Sequence, residues 1–307
     1  MFTAEVLARL RAVPRPPSPV SDSAAEPIRQ RHLIFSGDEL PTNFLRLRRP
    51  AWWAYLTHAA TNGLVDEDLR QRLTGIDDDL FRGAFAECLV SWFFFSKLGL
   101  ALRRHDAGMG VRRADFESDG NLRVEVKSPY VPLLGNQWAG DDTDVIRKCI
   151  MEAGSQFKPG NVNVVALVPL LRNPLSYERN QLLNATIGSW VLSVPISCDQ
   201  EIPAPEPTNV FRQVGKLAKL FPRGDGTTRP DLTRVSAVVA IEEDSVWTDA
   251  GPRLLHFVHV VHNPFANDAY QLDKEMFSAY PQLLATKTEG AGAEWGMAWS
   301  DGRPTFP

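Results

Sequence analysis

A chain of 307 residues with 44% hydrophobic and 23% charged side chains has the composition of a globular protein, long enough for one large core or two small ones. Its formal net charge of −4 argues against a protein that coats nucleic acid through bulk positive charge, while leaving room for a local basic rim. Cys88, Cys149 and Cys198 are odd in number and lack disulfide or metal spacing, so a reducing compartment is expected.

Residues 3–12 read as a short amphipathic helix, and the following PRPPSPVSDSAAEP as an extended linker. The opening MFTAEVLARLRAV carries no signal-peptide pattern. The longest apolar run is interrupted by Lys97 and too short to span a bilayer, so a cytoplasmic protein without membrane attachment is expected. Between His32 and Leu73 helical periodicity is clearest in WWAYLTHAA and VDEDLRQRL, where Trp52 and Trp53 stand beside Tyr55 and Leu56 as packing residues. Residues 1–75 form, on this reading, an N-terminal arm, linker and helical extension.

From Asp77 to Leu102 apolar residues occupy nearly the whole helical circumference, which predicts a buried helix. Asp77 to Asp79 suit its N-terminus and Gly99 its end. Glu87 lies mid-helix, and its neighbours three and four residues away, Gly83, Ala84, Val90 and Ser91, include no cation. Burying an unpaired carboxylate is costly, so Glu87 must meet a distant arginine, hold a proton or join a metal site.

The stretch Val111 to Pro129, VRRADFESDGNLRVEVKSP, reads as two strands around a turn at Ser118-Asp119-Gly120. A two-residue loop would align Asp115 with Val124 and mix the chemistry of both faces. A three-residue loop with Gly120 left-handed places Ala114 and Phe116 with Leu122, Val124 and Val126, and gathers Arg113, Asp115, Glu117, Arg123, Glu125 and Lys127 on the other face. A solvated edge hairpin would alternate in the same way.

Asp115, nine residues, Glu125, one residue and Lys127 resembles the D-x(n)-E-x-K signature of the PD-(D/E)XK nuclease superfamily, with Ala114 where the family name has proline. That resemblance implies an α/β fold with a restriction-endonuclease-like core, a central mixed β-sheet flanked by helices, spanning residues 76–285 and followed by a tail at 286–307. It implies Mg²⁺ or Mn²⁺ as cofactor, bound by Asp115, Glu125 and the Val126 carbonyl, with Glu87 joining from the preceding helix. Glu125 and Lys127 lie roughly 7 Å apart at their α-carbons, so both tips reach one metal-bound water. The implied reaction is hydrolysis of phosphodiester bonds, with nucleic acid, DNA above all, as substrate and a homodimer as a frequent working form. The alternative is a non-catalytic module of the same fold that binds nucleic acid or a protein.

After the hairpin, residues 130–144 form a Pro-, Gly- and Asp-rich loop, and Asp142 or Thr143 caps a helix to about Phe157. On it the resemblance marks Gln156 as a phosphate- or water-holding group. NVNVVALVP, from Asn161 to Pro169, is a strand for the centre of a sheet covered on both faces. A helix is expected around Tyr177 to Trp190, a basic helix over Arg212 to Leu220, strands over Val235 to Ile241 and Leu254 to Val261, and a helix near Leu272 to Tyr280. Glu242-Glu243-Asp244 reads as a solvated turn. His256, His259 and His262 alternate sides of a strand and cannot converge on zinc. Arg103, Arg104, Arg112, Arg113, Arg123, Arg147, Lys148 and Lys158 bracket the hairpin as candidates for a phosphate-facing rim.

Overall fold

The computed structural model describes residues 43–75, 77–104, 114–129, 143–169, 182, 185–186, 189–193, 208–212, 233–248, 251–263, 266, 268–287 and 295–300. The expectations for residues 3–12, the Pro-rich linker, the loop over 130–142, the basic helix beyond Arg212, and Arg112, Arg113 and Cys198 lie outside the described residues.

Among the described residues three helices come first: α1 (Asn43–Thr61), α2 (Glu67–Thr74) and α3 (Asp78–Leu98). Asp66 caps α2 by accepting the Leu69 N–H, an interaction worth about 1 kcal/mol. Asp77 caps α3 the same way, accepting from Asp79 and Leu80. Gly99 ends α3 at φ 68°, and the N–H groups of Gly99 and Leu100 turn back onto the Phe95 and Phe94 carbonyls. Both ends stand where the sequence puts them. The helix is buried through its middle as expected, with Leu80 and Phe95 left exposed near its ends. Among the described residues no helix is long and apolar enough to cross a membrane.

The strands are β1 (Arg103–Arg104), β2 (Phe116–Glu117), β3 (Leu122–Lys127), β4 (Val162–Leu167), β5 (Ser189–Ser193), β6 (Thr208–Arg212), β7 (Ala237–Thr248), β8 (Gly251–His262), β9 (Gln282–Lys287) and β10 (Trp295–Ser300). Eight of them form one mixed sheet in the order β1-β2-β3-β4-β7-β8-β9-β10, and β5 pairs with β6 apart from it. β3, β4 and β7 run parallel at the centre, with α4 (Thr143–Gln156) crossing over between β3 and β4. One face, with Phe116, Leu122, Val124, Val126, Val164 and Ala166, packs on α1, α2 and α3. The other, with Val165, Leu167, Val238 and Ala240, packs on Ile146, Ile150, Ala153 and Phe157 of and just beyond α4. Val164 to Leu167 are fully buried, which is why that stretch reads as continuously apolar rather than alternating.

The β2–β3 register pairs Phe116 with Val124 and Glu117 with Arg123, the parity expected for a three-residue loop. The left-handed residue is Asn121 at φ 63°, not Gly120. Asparagine tolerates this conformation, and here its amide donates to the Gly160 carbonyl while its own carbonyl accepts the Val162 N–H. The turn thus holds the start of β4 as well as closing the hairpin. A second correction concerns Ala114, which does not share the Phe116 face: the chain bends at Asp115, and Ala114 joins the core beneath α4.

Other expectations give way to packing. Leu182, Ala185 and Thr186 are helical, but Trp190 belongs to β5, because a short apolar run can serve either period. Arg212 ends a strand rather than starting a helix. Between Asp268 and Phe277 the chain makes two single 3₁₀ turns, Asp268–Tyr270 and Glu275–Phe277, in place of the helix over Leu272 to Tyr280. α1 and α2 share one core with α3 across the boundary at 75, and β9 crosses the boundary at 285 to pair with β10.

Glu242, Glu243 and Asp244 lie inside β7 rather than in a turn. The Tyr55 hydroxyl donates to Glu243 Oε1 at 2.5 Å, so its oxygen accepts from His256 Nε2 at 2.7 Å, and Trp52 Nε1 donates to Glu243 Oε2 at 2.8 Å. His262 Nε2 instead meets Gln282 Oε1 at 2.7 Å, so these two histidines serve separate polar contacts and not one metal. Trp52 is buried, as a packing residue should be, and together with Tyr55 latches α1 to β7 and β8. Tyr55→Phe removes the hydroxyl shared by Glu243 and His256 and is expected to cost about 1–3 kcal/mol of stability; an unmoved urea midpoint would show that the latch contributes nothing.

Candidate active site

Val124 and Val126 face the α1–α3 layer, so alternation turns Glu125 and Lys127 to the α4 side, opposite Val165 and Leu167 of β4. Lys127 Nζ lies 2.9 Å from Glu125 Oε1. Glu125 is 2% exposed, and its Oε2 is buried with no hydrogen-bond partner among the described residues.

Asp115 reaches the same place from β2. Continuing the hairpin register would hand the Val126 N–H to the Ala114 carbonyl, but β2 pairs only from Phe116 onward, and the bend at Asp115 carries the chain off β3. Asp115 Oδ2 accepts the Val126 N–H instead, at 2.7 Å. Within a strand the N–H and C=O of one residue share an edge, so the Val126 carbonyl points toward the same gap. Each carboxylate therefore commits one oxygen to the protein, Oδ2 of Asp115 and Oε1 of Glu125.

Burial pushes the Asp115 carboxyl well above its ordinary range; the charges of Glu87 and Glu125 push the same way, and the Val126 N–H and Lys127 only partly offset them. Burial likewise raises Glu125, against the opposing charge and hydrogen bond of Lys127. Burial would lower Lys127, yet Glu125, Asp115 and Glu152 outweigh it and raise the ammonium above its usual value. Two raised carboxyls stand, among the described residues, beside the ammonium of Lys127.

Glu87, on α3, is held by arginines. It is 4% exposed, and Arg72 grips it with two bonds, Nη1 to Oε1 at 2.6 Å and Nη2 to Oε2 at 3.1 Å, while Arg104 Nη1 reaches Oε2 at 2.6 Å. Of the partners open to it on sequence grounds, the structure supplies distant arginines. Its charge acts on Asp115 and Glu125, while both of its oxygens accept hydrogen bonds from arginine. Gln156 is not brought to the cluster: α4 ends there, six residues before Val162, whose partner in β3 is Leu122, the end of the strand opposite Lys127. The α4 residues whose charges bear on Lys127 or respond to it are Glu152 and Cys149, the latter a free thiol pushed up to about 11 chiefly by burial. Neither matches the sequence signature, and only the crossover geometry would have found them.

The basic rim is largely tied to acids. Arg103 pairs with Glu117 and Asp119, Arg104 with Glu87 and Asp66, and Arg147 with Asp144, while Lys148 stands 4.0 Å from Glu152.

No group of three or more His, Cys, Asp and Glu side chains among the described residues is placed to hold a metal ion. Two carboxylates and a main-chain carbonyl nevertheless suit Mg²⁺ or Mn²⁺, hard cations that bind through one or two carboxylates and keep several waters. The unpartnered, buried Oε2 of Glu125 is the observation that fits such an ion. No family model matches this chain, and no curated protein or solved structure matches it either.

A carboxyl whose folded pKa is raised favours the folded state below its unfolded pKa, and that contribution is lost as pH rises through the folded value. Asp115→Asn, which keeps an oxygen for the Val126 N–H and removes the charge, is therefore expected to melt higher than the native chain at pH 8 in chelator. The gap should narrow as pH falls, and a variant that melts lower at pH 8 would contradict the electrostatic picture.

Proposed function

We propose that this chain is a metal-dependent nuclease of the PD-(D/E)XK type, with a restriction-endonuclease-like core, that hydrolyses phosphodiester bonds in DNA. The observation that carries the reading is the pair of Asp115, partly buried where β2 leaves β3, and buried Glu125, with Lys127 on the same strand and Glu125 Oε2 without a hydrogen-bond partner among the described residues. The succession of α3, the β1–β2–β3 meander, α4 and the parallel strand β4 supports it, since the superfamily resemblance calls for a helix before the catalytic hairpin and a crossover after it.

Asp115 Oδ1, Glu125 Oε2 and the Val126 carbonyl are the groups that would hold the cation. The chemistry such an ion would supply is acidification of a water and neutralisation of charge on the phosphorus. Lys127 stays protonated beside Glu125, so it donates hydrogen bonds to a phosphate oxygen and orients the attacking water rather than removing its proton. Glu125 fixes the ammonium through Oε1, which sets the distance between the cation site and the phosphate-binding group. Val165 and Leu167, both fully buried on β4, are the Cα partners of Glu125 and Lys127 and put apolar side chains beside the pair.

A second reading, a non-catalytic module of the same fold, draws support from the acids that already hold Arg103, Arg104 and Arg147, because phosphate backbones bind through free cations. Supercoiled plasmid separates the two. The nuclease reading expects Mg²⁺-dependent nicking that falls about 10²–10³-fold in Lys127→Ala, the loss typical of removing one transition-state donor. No nicking of any DNA or RNA, with a melting temperature indifferent to Mn²⁺, would leave the module.

A further inference from the structure

We infer that Glu87 is a positioning residue for the Asp115 and Glu125 pair, acting through Arg104, and is not a group that touches the cation; the inference rests on the reading of that pair as a cation site.

Glu87 Oε1 is held by Arg72, and Oε2 by both Arg72 and Arg104. Arg104 does more than neutralise it. Its Nε lies 2.9 Å from Asp66, the residue that caps α2, so one guanidinium joins the start of α2, the middle of α3 and strand β1. The same guanidinium lies over the Phe116 ring, 5.9 Å from its centroid, and Arg104 is the Cα partner of Phe116 in the β1–β2 pair.

Phe116 is in turn the partner of Val124 in the β2–β3 pair. Arg104, Phe116 and Val124 thus form one line across three strands. Asp115 is the residue before Phe116, and Glu125 the residue after Val124, so both carboxylates hang from that line. Among the described residues β1 and β2 contribute two paired residues each, a short ladder to keep them in place. The guanidinium clamped on Glu87 supplies what the short ladder lacks. A rigid frame of this kind is what holds a ligand pair within reach of one ion.

The test is Mn²⁺ binding to the full chain by titration calorimetry, for the native protein, Glu87→Gln, Arg104→Met and the double variant, with Tyr55→Phe as a control destabilised elsewhere. The inference expects both single variants to bind several-fold more weakly by a similar factor, at unchanged stoichiometry, with the double variant no weaker than either. Tyr55→Phe should bind like the native chain. The inference is overturned if Glu87→Gln alone loses affinity, if Arg104→Met binds tighter because it frees a carboxylate, if the two effects simply multiply, or if Tyr55→Phe weakens binding equally. Should Glu87→Gln fail to fold, Arg104→Lys and Arg104→Met carry the comparison: affinity falling in that order supports the inference, and no fall overturns it. A native chain that binds no Mn²⁺ overturns the cation-site reading and the inference together, whereas native binding with any of the contrary patterns overturns the inference alone.

Discussion

One hydrogen bond organises the site: the Val126 N–H, which the sheet leaves over where β2 parts from β3, is taken by the Asp115 carboxylate. A main-chain donor buried without a partner costs about 1–3 kcal/mol, so the gap in the ladder demands an acceptor. Supplying it from an aspartate side chain brings a charge beside Glu125, in a place where a backbone carbonyl would have brought none. The split in the hairpin and the crowding of two acids are the same structural event.

That crowding runs against stability, and the rest of the fold contains it. α4 and β4 pack apolar side chains on one side, and α3 with its arginine clamp packs on the other. Lys127 offsets part of this at Glu125 and less at Asp115, and both carboxyls remain raised. Natural folds hold such unfavourable charge where function requires it, and strip it elsewhere. Glu87 shows the contrast within one chain: equally buried, it is fully matched by two guanidiniums, about the arrangement expected of a structural acid, whose partners once removed would leave a charge costing roughly 3–5 kcal/mol. Glu243 is matched by neutral donors, the Trp52 indole and the Tyr55 hydroxyl.

The competing readings of function differ in what they ask of the surface. Catalysis asks for few free cations near the cluster, since the metal and Lys127 do the neutralising; binding without cleavage asks for more. The pairing of Arg103, Arg104 and Arg147 with acids leaves that surface lean, in keeping with the net charge of −4.

Local rules were enough to write down several parts of this protein from its residues alone. Asp77 and Gly99 bound α3 because caps act over one turn of chain, and the apolar run over Val164 to Leu167 declares a strand buried on both faces. The parity that sets Glu125 and Lys127 opposite Val124 and Val126 follows from the two-residue repeat of a strand. What tertiary structure alone decided are the matters of long sequence separation: which cation meets Glu87, since Arg72 and Arg104 lie 15 and 17 residues away on other elements; and which acid lies within β7, since Tyr55 is 188 residues from Glu243. Gln156 illustrates the limit, because its distance from Lys127 depends on the direction in which α4 crosses the sheet, and Asn121 does too, because its left-handed turn is secured by Gly160 on a different segment. Propensity and period act between neighbours in the chain, whereas the partner of a buried charge is chosen by packing, and packing is a property of the whole fold.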